Sequence, residues 1–230
     1  MRRRVLSQMA ARNARGDDRF VSGVHLALVL VTAPVLGTAS GCGAEALLRR
    51  ARPDAGPRRS ALLITVSVLV VAVAALGSAG IGGWRQAAVL LLAAVAVPLS
   101  AVDLAEHRIP NLVLGPAFAL TVLLLGLDAV TRHQSADLVR ALLAACALYA
   151  GALALLLSAR NSLGYGDVKA LAYQGFCTGY LSWGRVLGAL LATFIAAAVA
   201  VIALHAGTGA RRVALAPYLL APTLAAALVG

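Results

Sequence analysis

Long apolar runs, separated by short segments rich in arginine, proline or glycine, recur along the whole chain. They mark eight candidate spans, approximately residues 24–43, 61–81, 86–104, 112–130, 138–158, 167–182, 186–205 and 213–229. Most are close to the ~20 residues that a helix needs to cross the hydrocarbon layer of a membrane. The strict two-residue alternation of a membrane barrel is absent. The pattern predicts an all-α polytopic membrane protein with about eight transmembrane helices. The sixth span is short and carries Gly175 and Gly179, so a tilted or partly broken helix is expected there.

Composition supports this class. The chain of 230 residues is 61% hydrophobic and 13% charged, with a mean hydropathy of +0.88, more apolar surface than one water-soluble core of that size could hide. The net charge of +11 does not indicate nucleic acid, because the arginines lie in short segments between apolar runs rather than on one soluble domain. Anionic lipid headgroups are the expected partner. Cys42, Cys146 and Cys177 form no C-x-x-C pair, so neither a zinc site nor a disulfide framework is expected, and no metal ligand set is assigned.

Arginine placement also sets a topology. If the first interhelical loop is cytoplasmic, that face carries ten positive charges: Arg49, Arg50, Arg52, Arg58, Arg59, Arg108, Arg160, Lys169, Arg211 and Arg212. The opposite loops carry four, Arg85, Arg132, Arg140 and Arg185. The positive-inside tendency then puts Asp103 and Asp167 at the cytoplasmic face of a multi-pass inner (plasma) membrane protein. The basic tail, residues 1–23, runs against this scheme. Either the first span does not cross as drawn or the true start lies downstream; a lipoprotein-type signal ending Ala39-Ser-Gly-Cys42 is disfavoured by its long leading region.

Two acids stand where apolar helices meet loops, and each lies in a short motif: Asp103-Leu-Ala-Glu-His-Arg-Ile-Pro-Asn111 and Gly164-Tyr-Gly-Asp-Val-Lys169. An ionised carboxylate loses hydration at a membrane boundary, so its presence there is a functional hypothesis. In the second motif, two glycines permit a bend and a close approach while Asp167 projects at the mouth of a helix, whose N-terminus favours the anion. An ordinary N-capping role for Asp167 is the plain alternative. In the first, Pro110 is placed to end one structure and start the next, and Asn111 to cap it. The plain alternative is a boundary loop in which Asp103 and Arg108 form a weak surface ion pair.

Together the motifs resemble those of the type IV prepilin peptidases, intramembrane aspartyl proteases with one aspartate upstream of Arg-Ile-Pro-Asn and a second in Gly-x-Gly-Asp-x-Lys. The resemblance divides the chain into a basic tail (1–23), two leading helices with a short arginine-rich loop (24–85), and a six-helix peptidase core (86–230). It implies that Asp103 and Asp167 are the catalytic pair. Arg108, Pro110 and Asn111 would shape the first motif, and Gly164, Gly166 and Lys169 the second. The implied substrate is a pilin-like precursor with a basic leader, cleaved at the cytoplasmic face. Larger members of the family carry a cytoplasmic insert with paired C-x-x-C zinc motifs, associated with N-methylation. Here it shrinks to Ala44–Ser60 without a cysteine pair, which puts methyltransferase activity in doubt.

Two carboxylates within ~3–6 Å share a proton, one activating water while the other hydrogen-bonds the scissile carbonyl. No cofactor is required. The carboxylates are expected within about 12 Å of each other at rest, and activity nearer neutral pH than in a soluble aspartic protease. Asp128, Asp137, Glu45 and Asp54 are expected in solvated loop roles. Glu106 and His107 are close enough to tune Asp103, although a solvent-facing role is favoured. His25, His133 and His205 have no metal-ligand spacing. The rival readings are a small proton- or cation-coupled transporter using the same acids, and a catalytically inactive scaffold. Nothing in the sequence fixes the oligomeric state or the pilus, competence or secretion system served.

Overall fold

The computed structural model describes residues 34–49, 57–81, 83–158, 164–208 and 214–229. The basic tail, the start of the first expected span, and Arg50, Arg52, Asp54, Arg160, Arg211 and Arg212 lie outside the described residues. Eight helices and no strand occur among the described residues. They are α1 (34–49), α2 (Pro57–Gly77), α3 (Gly83–Glu106), α4 (Asn111–Thr131), α5 (Ser135–Ser158), α6 (Tyr165–Leu181), α7 (Trp183–Thr208) and α8 (Ala216–Leu228). Helices α3, α4, α5 and the stretch Trp183–Ala203 of α7 are long and apolar enough to cross a membrane. The apolar parts of α2 and α8 are shorter. The chain is an all-α polytopic membrane protein.

The outer surface carries Leu123, Leu142, Leu191, Val199 and Ile202, all strongly exposed. That is the distribution expected when lipid rather than water faces the helices. The central core joins Leu92 and Leu99 of α3, Val168, Leu171 and Tyr173 of α6, and Leu219 and Leu220 of α8. Phe118 of α4 packs on both Tyr173 and Phe176, ring centroids 5.5 Å apart in each case.

Of the two forms that its glycines allowed, tilted or partly broken, helix α6 is not the broken one. It is continuous from Tyr165 to Leu181, and its glycines serve close packing rather than bending. A Cβ on Gly175 would lie 2.8 Å from the Ala144 carbonyl oxygen, and one on Gly179 would lie 2.6 Å from the Ala144 Cβ. Helices α5 and α6 accordingly form the most extensive helix pair. Between apolar helices in lipid, small residues drive association by letting backbones touch.

The first helix also differs from its expected position. It runs to residue 49, and α2 begins at Pro57, so most of the expected loop Ala44–Ser60 is helical. Gly37 and Gly41 press against the backbones of Val68 and Ile64, a second small-residue crossing with the same four-residue period. Ala44 and Leu48 are buried, which explains why this segment stays helical past the expected end. Glu45, expected in solvent, pairs with Arg49 one turn away.

Asp128 is a further correction. Expected beside a solvated loop, it is only 2% exposed. The Tyr180 hydroxyl donates to its Oδ2 at 2.8 Å and Arg132 Nε to its Oδ1 at 3.1 Å. Nearby, Arg140 donates to the Gly179, Tyr180 and Leu181 carbonyls at 2.7–3.0 Å and to Asp137 Oδ1 at 2.8 Å. It thereby satisfies the carbonyls left open at the C-terminus of α6 and complements the negative end of that helix.

Substituting Gly179→Leu is expected to destabilise the protein by about 1–3 kcal/mol through overpacking of the α5–α6 crossing. Gly151→Leu on the open side of α5, where an added Cβ meets nothing within 4 Å, should leave stability within about 0.5 kcal/mol. Reversible unfolding in detergent or bilayers measures both.

Candidate active site

The C-terminus of α3, the N-termini of α4, α6 and α8 meet at one end of the bundle, and both motifs lie there. Helix α3 stops at Glu106. His107 then takes a left-handed backbone conformation (φ 51°), its amide still bonded to the Asp103 carbonyl at 2.7 Å. The chain turns through Arg108, Ile109 and Pro110 into α4. Pro110 itself is the N-cap, extended at φ −70° and ψ 120°. Asn111, expected to cap α4, is instead its first residue, and its side chain is used elsewhere.

Helix α6 begins on Gly164, which is its N-cap. Asp167 is the third helical residue, not the cap, and its Oδ2 accepts the Gly164 amide at 3.0 Å. This is one half of a capping box; the other half is missing because glycine has no side chain to return the bond. The carboxylate also sits over the positive end of α6. A Cβ on Gly164 would come to 3.1 Å from this oxygen, so the side chain's absence leaves room for the carboxylate.

Two contacts join the motifs. Gly166 lies flat on Ile109: an added Cβ would be 3.1 Å from the Ile109 Cβ and 3.4 Å from its amide nitrogen. Lys169 Nζ donates to Asn111 Oδ1 at 3.0 Å and stands 4.7 Å from the centre of the Tyr165 ring. Ile109 is buried in the same core cluster as Val168, so the hinge of the first motif and the first turn of the second share one apolar seat.

Asp103 is 3% exposed. Its Oδ2 accepts the Ala216 amide, at the start of α8, at 2.7 Å, and His107 acts on it electrostatically. Asp167, half-buried, is within electrostatic reach of Asp103. The structure thus brings both aspartates to one end of the bundle, with Gly164, Gly166, Lys169, Asn111 and Pro110 arranged around them. Arg108 and Glu106 are exposed.

Sequence reasoning missed the role of α8. Ala216 contributes a backbone amide, which no side-chain motif reports; the only signal was Pro217, a residue common in the first turn of a helix. Tyr149 was missed as well. Its hydroxyl lies 3.2 Å from that of Tyr165, and it lines a cleft of about 320 Å³ with Asn111, Leu114, Phe118, Lys169 and Ala172. Among the described residues no group of three or more histidine, cysteine or acidic side chains is placed to hold a metal ion, and all three cysteines are free.

Chemically, the arrangement offers two carboxylates of limited solvent access, each held by a helix-start amide and each sensing the other. A sequence model of the type IV leader peptidase family matches residues 88–203, just over half of the chain, from the second turn of α3 to near the end of α7. No curated protein and no solved structure gives a significant match.

Lys169 and Asn111 are expected to couple weakly because their bond is exposed. A double-mutant cycle with Lys169→Met and Asn111→Ala should return an interaction of about 0.5–1 kcal/mol by unfolding. A coupling indistinguishable from zero would show that the bond does not hold the motifs together.

Proposed function

The chain belongs to the type IV leader peptidase family, and on that premise we propose that it is a membrane aspartic endopeptidase whose catalytic pair is Asp103 and Asp167. The observation that carries this reading is the meeting of the two aspartate motifs through Gly166 on Ile109 and Lys169 on Asn111, with Asp103 acting electrostatically on Asp167.

In the proposed reaction the paired acids share one proton. The ionised member takes a proton from water, and the water oxygen attacks the scissile carbonyl. The protonated member hydrogen-bonds that carbonyl as charge develops on its oxygen. Collapse of the tetrahedral intermediate transfers a proton to the leaving amide nitrogen and breaks the peptide bond. Water, two carboxylates and the substrate balance the step without a cofactor. Helices α3–α8 form the peptidase core in this reading, with α1 and α2 as leading helices.

The proposed substrate is a pilin-like precursor, whose basic leader precedes a long apolar helix. That helix would lie in the bilayer against the bundle, and the cleft lined by Asn111 of the first motif, Lys169 of the second, Phe118 and Tyr149 offers it a place beside both motifs. The excess of arginine in the loops on the Asp103 side supports a cytoplasmic site, where the leader is before export.

Co-expression in membranes with a pilin-like precursor from the same genome tests the reading, leader loss being followed by gel mobility. Asp103→Asn and Asp167→Asn should each lower cleavage by at least about 100-fold while inserting normally, since either change removes one half of an acid–base pair. Cleavage surviving both substitutions would refute the dyad. No cleavage by the unaltered protein would favour another substrate, the transporter or the inactive scaffold.

The pH–rate profile of the unaltered enzyme should be bell-shaped, with both limbs belonging to the pair as a unit and an optimum nearer neutral than acid. An optimum below about pH 3 would contradict a pair held in a poorly hydrated site.

A further inference from the structure

The matched family region ends at residue 203, yet the amide bonded to the Asp103 carboxylate comes from beyond it. The Ala216 amide donates to Asp103 Oδ2 at 2.7 Å across 113 residues of chain, and the Leu215 amide also acts on the carboxylate. We propose that the start of α8 is part of the catalytic apparatus, with the Ala216 amide as the positioning group that sets the orientation of the Asp103 carboxylate. This inference rests on the dyad reading above.

Three observations support it. Ala216 is the first residue of α8, so its amide is one of the helix-start donors without a partner inside the helix. Pro217 follows it and has no amide hydrogen, so the donors toward Asp103 at this end of α8 are the Ala216 amide, which makes the 2.7 Å bond, and the Leu215 amide before it. Helix α8 cannot drift from α3, because Ala216, Leu219 and Leu220 are buried in the cluster that also holds Leu99, Ile109 and Val168. The amide is therefore delivered to Asp103 by the same core that seats the two motifs.

The environment of Asp103 leaves few rivals for this role. Facing it electrostatically are Asp167 of α6 and His107 at the end of α3. Residues 61–77 of α2 contain no titratable side chain, and α4 opens with Asn111-Leu-Val-Leu. The described start of α8 presents backbone amides, Tyr218 being the titratable residue of its first turn. A charge-assisted bond from an amide to a carboxylate is among the stronger hydrogen bonds and carries direction as well as energy.

The test removes one hydrogen atom. Replacing Ala216 by its α-hydroxy analogue, lactic acid, turns the Leu215–Ala216 amide into an ester and keeps the methyl side chain. Ala216→Pro removes the same donor genetically, although it also pushes Leu215 out of its present helical backbone region. Both are compared with the unaltered enzyme in the precursor-cleavage assay across pH. The ester form should keep cleavage but lose about tenfold in maximal rate, and its acidic limb should move up by about one pH unit, because the anion has lost a donor.

A purely structural bond would lower yield or thermal stability and leave the position of the limb unchanged. That outcome, or an ester variant with the unaltered rate and profile, overturns the proposal. Failure of the dyad reading looks different, since Asp103→Asn and Asp167→Asn would then cleave.

Discussion

Two chain reversals meet at the end of this bundle more closely than side chains ordinarily allow, and the geometry of the candidate site follows from that. Gly166 rests on Ile109 at a spacing where an added Cβ would stand 3.1 Å from the Ile109 Cβ. Ile109 in turn is fixed in the apolar cluster with Val168 and Leu219. Because the contact involves backbone and a buried side chain, neither partner can rotate away to make room. With it in place, Lys169 reaches Asn111, α6 starts against the α3–α4 hinge, and the two aspartates come within electrostatic reach.

The same device operates along the helices. Lipid is as apolar as leucine, so burying leucine between helices gains little there, and association relies on close van der Waals contact. Gly37 and Gly41 bring α1 onto α2, and Gly175 and Gly179 bring α6 onto α5. The second crossing matters for the site because α6 carries Asp167 at its far end. Arg140 adds a polar lock by engaging three carbonyls at the C-terminus of α6. The helix is therefore held at its foot by Arg140, along its length by α5, and at its mouth by Ile109.

What the sequence could reveal depended on which physical signal each feature leaves. Apolar runs bounded by arginine located the helices from α2 to α8 within a few residues, because lipid imposes a length on each. The first helix was misplaced: its end is set by burial of Ala44 and Leu48, which a hydropathy run broken by Glu45 and Arg49 conceals. Asp103 and Asp167 were visible because acids beside apolar runs are rare. The functions of Gly175, Gly179 and Asp128 were not, since a glycine reads as a helix breaker until its neighbour is known, and an acid at a helix end reads as solvated until its partners are found. The Ala216 amide left almost no sequence trace, because every residue except proline carries one.

Asp128 and Asp103 show how one residue type serves two ends of a bundle differently. Both are nearly inaccessible, at 2% and 3% exposure. Asp128 is matched by a cation, Arg132, and a hydroxyl, Tyr180, so its charge is neutralised and its oxygens are engaged. Such a group is structural: through Tyr180 it anchors α4 to α6. Asp103 has no such counter-ion among its described bonds. Its donors are uncharged amides at a helix start, and it acts electrostatically on another carboxylate, Asp167. Amides orient an anion without cancelling it, and a like charge nearby makes the exchange of a single proton the least costly arrangement of the pair. The contrast separates an acid closed into an ion pair from one held by backbone amides, and the second kind lies at the end where the two motifs meet.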